Sequence, residues 1–296
     1  MSSSFSDFVK ENKALIDKQV VIYTKQLEAP AVLKDAMVYS LEAGGKRIRP
    51  LLLFATLHAF GKDLEMGIPA ACALEMIHTY SLIHDDLPSM DDDDLRRGKP
   101  TNHKVFGEAT AILAGDGLLT YAFEVITSYS HPMVTANMNL RLVRELAKAA
   151  GPEGMVAGQV ADIEAEGHTL TLSQLEYIHK NKTGRLLEFP VLAGCILAGA
   201  TEKEIGQLLD YARNIGLAFQ IQDDILDVIG TEEEIGKPVG SDIENKKSTY
   251  ATLFSIEEAN QMLSATIQSA KRALSSMQLA DEYLLQICEI IAKRKN

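Results

Sequence analysis

An all-α fold is predicted by three features of the sequence. Apolar residues recur at helical spacing along nearly the whole chain. Ala and Leu are abundant while Gly and Pro are modest, which favours helix over strand. No run alternates apolar and polar residues in the manner of a half-buried strand, and no repeat or low-complexity linker divides the 296 residues, so a single domain over 1–296 is expected.

The elements follow in order. Phe5 to Leu27 reads as an amphipathic helix, with Phe8, Leu15, Val20 and Leu27 set among charges. Pro30 opens a second helix, Ala31 to Glu42, which Gly44-Gly45 ends. Pro50 stands where a third begins, and Leu51 to Phe60 continues it to Gly61. Ile68 to Leu87 is long and apolar, and Pro88 stops it because the pyrrolidine ring restricts the preceding residue. A polar segment, 89–104, comes next. Helices are then predicted over 108–129, 133–150, 153–165 and 173–181, with an interruption near Gly184. A buried helix over 186–198, a long helix from Glu202 to Val228, a charged loop over 230–247 and two further helices complete the chain.

Composition narrows the function classes. The net charge of −12 disfavours a nucleic-acid partner, because the basic clusters are short and lie beside acidic ones. Cys72, Cys195 and Cys288 are odd in number and widely spaced, so disulfides and zinc are not expected and a cytoplasmic setting is. The N-terminal stretch is broken by charges and does not read as a signal peptide. The most apolar run, Val191 to Ala200, is too short to span a bilayer, so no stable membrane insertion is expected.

Two acidic clusters stand out. In HDDLPSMDDDDLRRGKPT, Asp85 and Asp86 end a helix and Asp91 follows the Pro88 break. Adjacent carboxylates at a helix C-terminus repel each other and face the negative end of the macrodipole, so a cation should compensate. Magnesium takes one or two carboxylates, with water and phosphate filling its remaining positions. Arg96 and Arg97 follow at once, and guanidinium forks suit diphosphate oxygens. In FQIQDDILDVIG, residues Gln220, Asp223, Asp224 and Asp227 share one helix face beside the apolar Leu217, Ile221, Ile225 and Val228. Carboxylates on a largely buried helix are costly without metal or basic partners. An isolated acidic run is usually a solvated surface; two such runs with basic residues nearby are less easily explained that way.

Cationic candidates surround these clusters. GGKRIRP places Lys46, Arg47 and Arg49 after a Gly-Gly turn, where backbone N–H groups can approach an anion. His78 lies two helical turns before Asp85 on the same face; a lone His on such a helix is commonly a core residue. Lys182 and Thr183 sit at a helix break, and Lys237 and Lys247 lie in the late charged loop.

GGKRIRP, HDDLPSMDDDDLRRGKPTNHK, GQVADI at 158–163, KTG at 182–184, FQIQDDILD and GKPVGSD occur in that order over most of the chain. In this the sequence resembles the trans-isoprenyl diphosphate synthases, and among them the farnesyl-producing bacterial members. The resemblance implies a bundle of mostly antiparallel helices around a deep central cavity, with the aspartate motifs facing each other across its mouth. It implies that Asp85, Asp86, Asp91, Asp223, Asp224 and Asp227 hold Mg2+, two or three ions for which Mn2+ may substitute. It assigns the allylic diphosphate to Arg96, Lys182, Thr183, Gln220, Lys237 and Lys247, and isopentenyl diphosphate to Lys46, Arg49, His78 and Arg97. Asp85, Asp91, Lys182, Asp223 and Lys237 are its catalytic set. The substrates are isopentenyl and allylic diphosphates, and a homodimer is implied.

Product length in this family is limited by a bulky residue just upstream of the first motif. Tyr80 lies roughly 7.5 Å along the helix from Asp85, at about 1.5 Å per residue. With Ser81 beside it and four residues between Asp86 and Asp91, it implies a fifteen-carbon product made by two additions. Geranylgeranyl or geranyl products are the alternatives. A terpene cyclase fits less well, because its second motif is of mixed Asn, Ser and Glu type and Lys46, Arg49 and His78 would have no purpose. An HD-type phosphohydrolase, suggested by His84-Asp85, lacks a second histidine pair, and a non-catalytic regulatory subunit does not suit two intact motifs.

Overall fold

The computed structural model describes residues 4–128, 131–230, 248–275 and 277–293. These form α1 (Phe5–Lys25), α2 (Ala31–Leu41), α3 (Ile48–Ala59), α4 (Ile68–Asp85), α5 (Asn102–Phe106), α6 (Glu108–Val125), α7 (Ala136–Ala150), α8 (Met155–Glu164) and α9 (Leu172–His179). A π-helical turn, Lys180–Gly184, leads into α10 (Arg185–Ala198), followed by α11 (Glu202–Ile229), α12 (Tyr250–Leu253), α13 (Ile256–Ser275) and α14 (Glu282–Lys293). The all-α expectation holds. The sheet content among the described residues is one two-residue hairpin, β1 (Leu95–Arg96) with β2 (Lys99–Pro100). Its turn residues Arg97 and Gly98 have φ of 55° and 73°, the left-handed pair that a tight hairpin of matching twist requires.

The chain forms two compact units: residues 1–54 with 63–143, and residues 55–62 with 144–296. In the first, α4 packs against α6, α2 and α1. Its apolar residues are buried almost all round, as expected of a central helix. Leu74, Met76 and Ile77 are fully buried, and each such side chain stabilises by roughly 1.5–3 kcal/mol. In the second unit α11 packs against α13, α10 and α14. A reciprocal cap starts α11: the Thr201 hydroxyl accepts from the Glu204 N–H, and the Glu204 carboxylate accepts from the Thr201 N–H at 2.7 Å. The Tyr211 hydroxyl donates to the Leu284 carbonyl at 2.8 Å and so ties α11 to α14.

Several boundaries differ from the sequence reading. Helix α3 begins at Ile48, with Pro50 inside its first turn, where a missing N–H costs nothing. Helix α6 ends at Val125 instead of 129, because the Thr127 and Ser128 hydroxyls donate to the Glu124 and Val125 carbonyls at 2.7 Å. The loop expected over 230–247 lies, but for Gly230, outside the described residues; among the described residues after it there are three helices, not two, and the extra one, α12, is a single turn closed by a Thr249–Thr252 capping box. Val228 of the predicted apolar face is partly exposed at the end of α11. No helix among the described residues is long and apolar enough to cross a membrane.

Candidate active site

In the first unit the chain reverses at Pro88. The Asp86 N–H donates to the Leu82 carbonyl and closes α4, and the Asp92 N–H donates to the Leu87 carbonyl at 3.1 Å. This turn brings the Asp91 N–H to the Asp85 carbonyl at 2.9 Å, so two carboxylates six residues apart stand at one bend. Asp85 and Asp91 are partly exposed, whereas Asp86 is buried. One Asp86 oxygen accepts from Arg96 Nε at 2.6 Å and Nη2 at 2.5 Å. Burial pushes the Asp86 carboxyl above its ordinary value despite Arg96, and Asp93 and Asp91 add to the rise. Asp86 and Arg96 thus neutralise each other beside the bend.

The paired arginines diverge. Arg96 turns to Asp86, and Arg97 Nη1 donates to the Gly44 carbonyl of the GGKRIRP turn. A Cβ on Gly45 would stand 2.8 Å from the Arg97 guanidinium carbon, so glycine is what admits that side chain. His78 stands on α4. Burial first, then the charges of Arg49, Arg97, Arg47 and Arg96, push its imidazole well below its ordinary value, and it is neutral at physiological pH. A neutral ring keeps one N–H donor that an anionic ligand can accept from.

Arg47 differs from its neighbours Lys46 and Arg49. It is 4% exposed and bridges Asp17, Glu75 and the Leu41 carbonyl. Tyr80 is buried, and its ring stands edge-on to His84 at 5.7 Å. Burial, then Asp85, pushes its hydroxyl up to about 12. The Ser81 hydroxyl donates to the His78 carbonyl at 2.9 Å within the helix.

In the second unit a cleft of ≈ 150 Å³ brings together Lys182, Thr183, Gln220, Asp224, Asp162 and His179. Lys182 and Thr183 lie on the π-helical turn, a departure from α geometry that is frequent at functional sites. Lys182 Nζ donates to Asp162 Oδ2 at 2.6 Å. Asp162 belongs to GQVADI, and nothing in its spacing marks it as the partner of a lysine twenty residues later. Burial lowers the His179 imidazole to about 4, Lys182 adding to the fall and Asp162 opposing it.

The acidic face of α11 is graded. Asp223 is partly exposed; Asp224 and Asp227 are 5% and 3% exposed, so the sequence-level expectation of carboxylates on a largely buried helix holds. Asp224 Oδ2 accepts from the Tyr250 N–H at 2.7 Å, fixing the start of α12 to α11. Ser248 accepts from the Leu170 N–H at 3.1 Å and donates to the His168 carbonyl at 3.2 Å. Lys237 and Lys247 lie outside the described residues.

Among the described residues no group of three or more His, Cys, Asp or Glu is placed to hold a metal unaided. Magnesium does not need one, since it is commonly held by one or two carboxylates and completes its shell with phosphate and water. The Asp85–Asp91 bend and the α11 face fit that donor set.

The sequence profile of the polyprenyl synthetase family matches residues 30–284. The chain therefore belongs to the polyprenyl synthetase family. It is 58% identical over 291 residues to a farnesyl diphosphate synthase of Geobacillus stearothermophilus, covering 98% of both chains. It is 56% identical over 294 residues to that of Bacillus subtilis strain 168, covering 99% of both. Among solved structures, an FPP/GFPP synthase from Zymomonas mobilis superposes with a TM-score of 0.85 at 36% identity, covering 99% of this chain and all of that one.

Proposed function

We propose that the protein is a prenyltransferase that joins isopentenyl diphosphate to dimethylallyl and then geranyl diphosphate, giving (2E,6E)-farnesyl diphosphate. One observation carries this reading over a cyclase: in the unit that bears the first aspartate motif, Arg97 reaches the Gly44-Gly45 turn that leads into Lys46 and Arg49, so basic residues apart from Arg96 collect at one turn. A cyclase binds one diphosphate and has no use for a second anion site. The relatives named as farnesyl diphosphate synthases support the reading along almost the full chain.

In this reading Asp85, Asp86, Asp91, Asp223, Asp224 and Asp227 are the magnesium-holding carboxylates, Asp86 and Asp224 each also tied to protein through one oxygen. When bound, magnesium neutralises charge on the departing diphosphate. Lys182, Thr183 and Gln220, with Arg96, Lys237 and Lys247, orient the allylic diphosphate. Lys46, Arg49, His78 and Arg97 hold isopentenyl diphosphate. The allylic C–O bond breaks with both electrons leaving on the diphosphate, the isopentenyl double bond attacks the allylic carbon, and the released diphosphate accepts the proton whose loss restores a double bond.

Incubation with labelled isopentenyl diphosphate, each allylic diphosphate in turn and magnesium should yield a fifteen-carbon diphosphate. Absence of any product longer than the supplied allylic substrate would sink the proposal. The same assay tests Tyr80 as the chain-length floor. Tyr80→Ala removes a buried ring and opens space upstream of Asp85, so products longer than fifteen carbons should appear. An unchanged length distribution by chromatography rules the floor out.

A further inference from the structure

We propose that Arg47 is a positioning residue for the isopentenyl diphosphate subsite, acting through the turn that carries Lys46 and Arg49. The inference rests on the subsite reading above. No role in substrate binding is available to Arg47 itself, because its guanidinium is already committed. Nε donates to Asp17 at 2.7 Å, Nη1 to Glu75 at 2.5 Å and Nη2 to the Leu41 carbonyl at 2.8 Å. Those acceptors belong to α1, α4 and the end of α2, so one side chain ties three helices to one turn.

The backbone of that turn needs holding. Gly44, Gly45 and Arg47 all have positive φ, at 82°, 136° and 52°. A left-handed arginine is disfavoured by roughly 1–2 kcal/mol, so its conformation persists only when surrounding contacts fix it. Here the contacts are the three guanidinium bonds. Lys46 and Arg49 are one and two residues from the clamped position. Arg97 reaches the same turn, through the Gly44 carbonyl and the space left by Gly45. Three of the four cationic and imidazole groups assigned to the subsite therefore take their placement from it, while the fourth, His78, stands on the same helix as Glu75.

Charge accounting agrees. Burial opposes the Arg47 charge, but Glu75 and Asp17 more than compensate, so its guanidinium is held more firmly protonated than usual. Two carboxylates and one guanidinium leave no net positive charge there for a ligand. A lysine at this position keeps the charge, but a single ammonium cannot form the planar fork that spans three acceptors on three elements.

The test uses the full chain and steady-state kinetics with each substrate varied in turn. Arg47→Lys should raise KM for isopentenyl diphosphate about ten-fold and leave KM for the allylic diphosphate within about two-fold, since a shift of an ångström in binding groups suffices for such losses. Asp17→Ala, which removes only the partly exposed strut, should move the same KM in the same direction by about three-fold. A fall in melting temperature with both KM values unchanged, or an equal rise in both, overturns the inference. Should Arg47→Lys fail to fold, the Asp17→Ala split decides alone, and its absence overturns the inference. Arg49→Ala separates the two levels: an unchanged KM for isopentenyl diphosphate there overturns the subsite reading, whereas a raised KM there with wild-type kinetics in Arg47→Lys overturns only the positioning role.

Discussion

Asp85→Asn should lower kcat by about 10²- to 10³-fold while leaving the fold intact. Asparagine has the shape of aspartate and keeps one acceptor oxygen, so the change removes charge and little else. The site tolerates the swap structurally because Asp85 is partly exposed at the end of α4. The backbone bond from Asp91 to the Asp85 carbonyl does not involve the side chain. What is lost is half of the carboxylate pair at the bend, which in the proposed reading would hold magnesium against the leaving diphosphate. The magnesium concentration for half-activation should rise together with the fall in kcat, and KM for isopentenyl diphosphate should move far less. Kinetics across a magnesium titration, with circular dichroism as the check on folding, decide the matter; an unchanged kcat and magnesium dependence would remove Asp85 from the metal site. Asp86→Asn should behave differently. Asp86 is buried against Arg96, and loss of its charge leaves that guanidinium only the longer 3.4 Å pairing with the more exposed Asp93, so stability should fall as well.

The contrast between those two neighbours shows what was legible in the sequence. Periodicity, the Pro88 break and the spacing of Gln220, Asp223, Asp224 and Asp227 are local features, and they gave the helices, the reversal after Asp85 and the acidic face of a buried α11. Which carboxylate of a pair is buried depends on what packs behind it, and no local pattern records that. Arg47 is the clearest case. Within KRIR it looks like its basic neighbours, yet its carboxylate partners lie 30 residues before it and 28 after it. Lys182 and Asp162 are hidden in the same way, their pairing set by the approach of α8 to the π-helical turn. The one-turn helix α12 escaped notice because four residues carry too little periodicity, and its anchor is the side chain of Asp224, 26 residues earlier. His78 could be read from sequence as core or as site; the burial and the arginine charges that lower its imidazole arise only in the packed structure.

Gly158→Ala should reduce both stability and turnover, for a reason that involves no chemical group of the site. A Cβ at position 158 would lie 2.1 Å from the Lys182 N atom, 2.6 Å from its Cα and 2.7 Å from the Asn181 carbonyl carbon. These are backbone atoms, so no side chain can swing aside to make room, and either α8 or the π-helical turn must shift. Overpacking of this kind costs about 1–3 kcal/mol. The turn carries Lys182 and Thr183, and Asp162, the partner of Lys182, stands one helical turn beyond Gly158 on α8. Relief of the clash should therefore strain the 2.6 Å Lys182–Asp162 pair and displace Lys182 and Thr183, the two candidates for the allylic diphosphate on that turn. A displacement of about 1 Å is enough for a loss near 10²-fold, which should appear in kcat/KM for the allylic substrate. Gly206→Ala is the matched control. That glycine sits in α11 with nothing within 4 Å of the Cβ position, so the same substitution should stabilise by about 0.5–1 kcal/mol without changing kinetics. Chemical denaturation and steady-state assays on the two variants read both effects. Wild-type stability and kinetics in Gly158→Ala would mean that the close approach of α8 to the turn does not place Lys182.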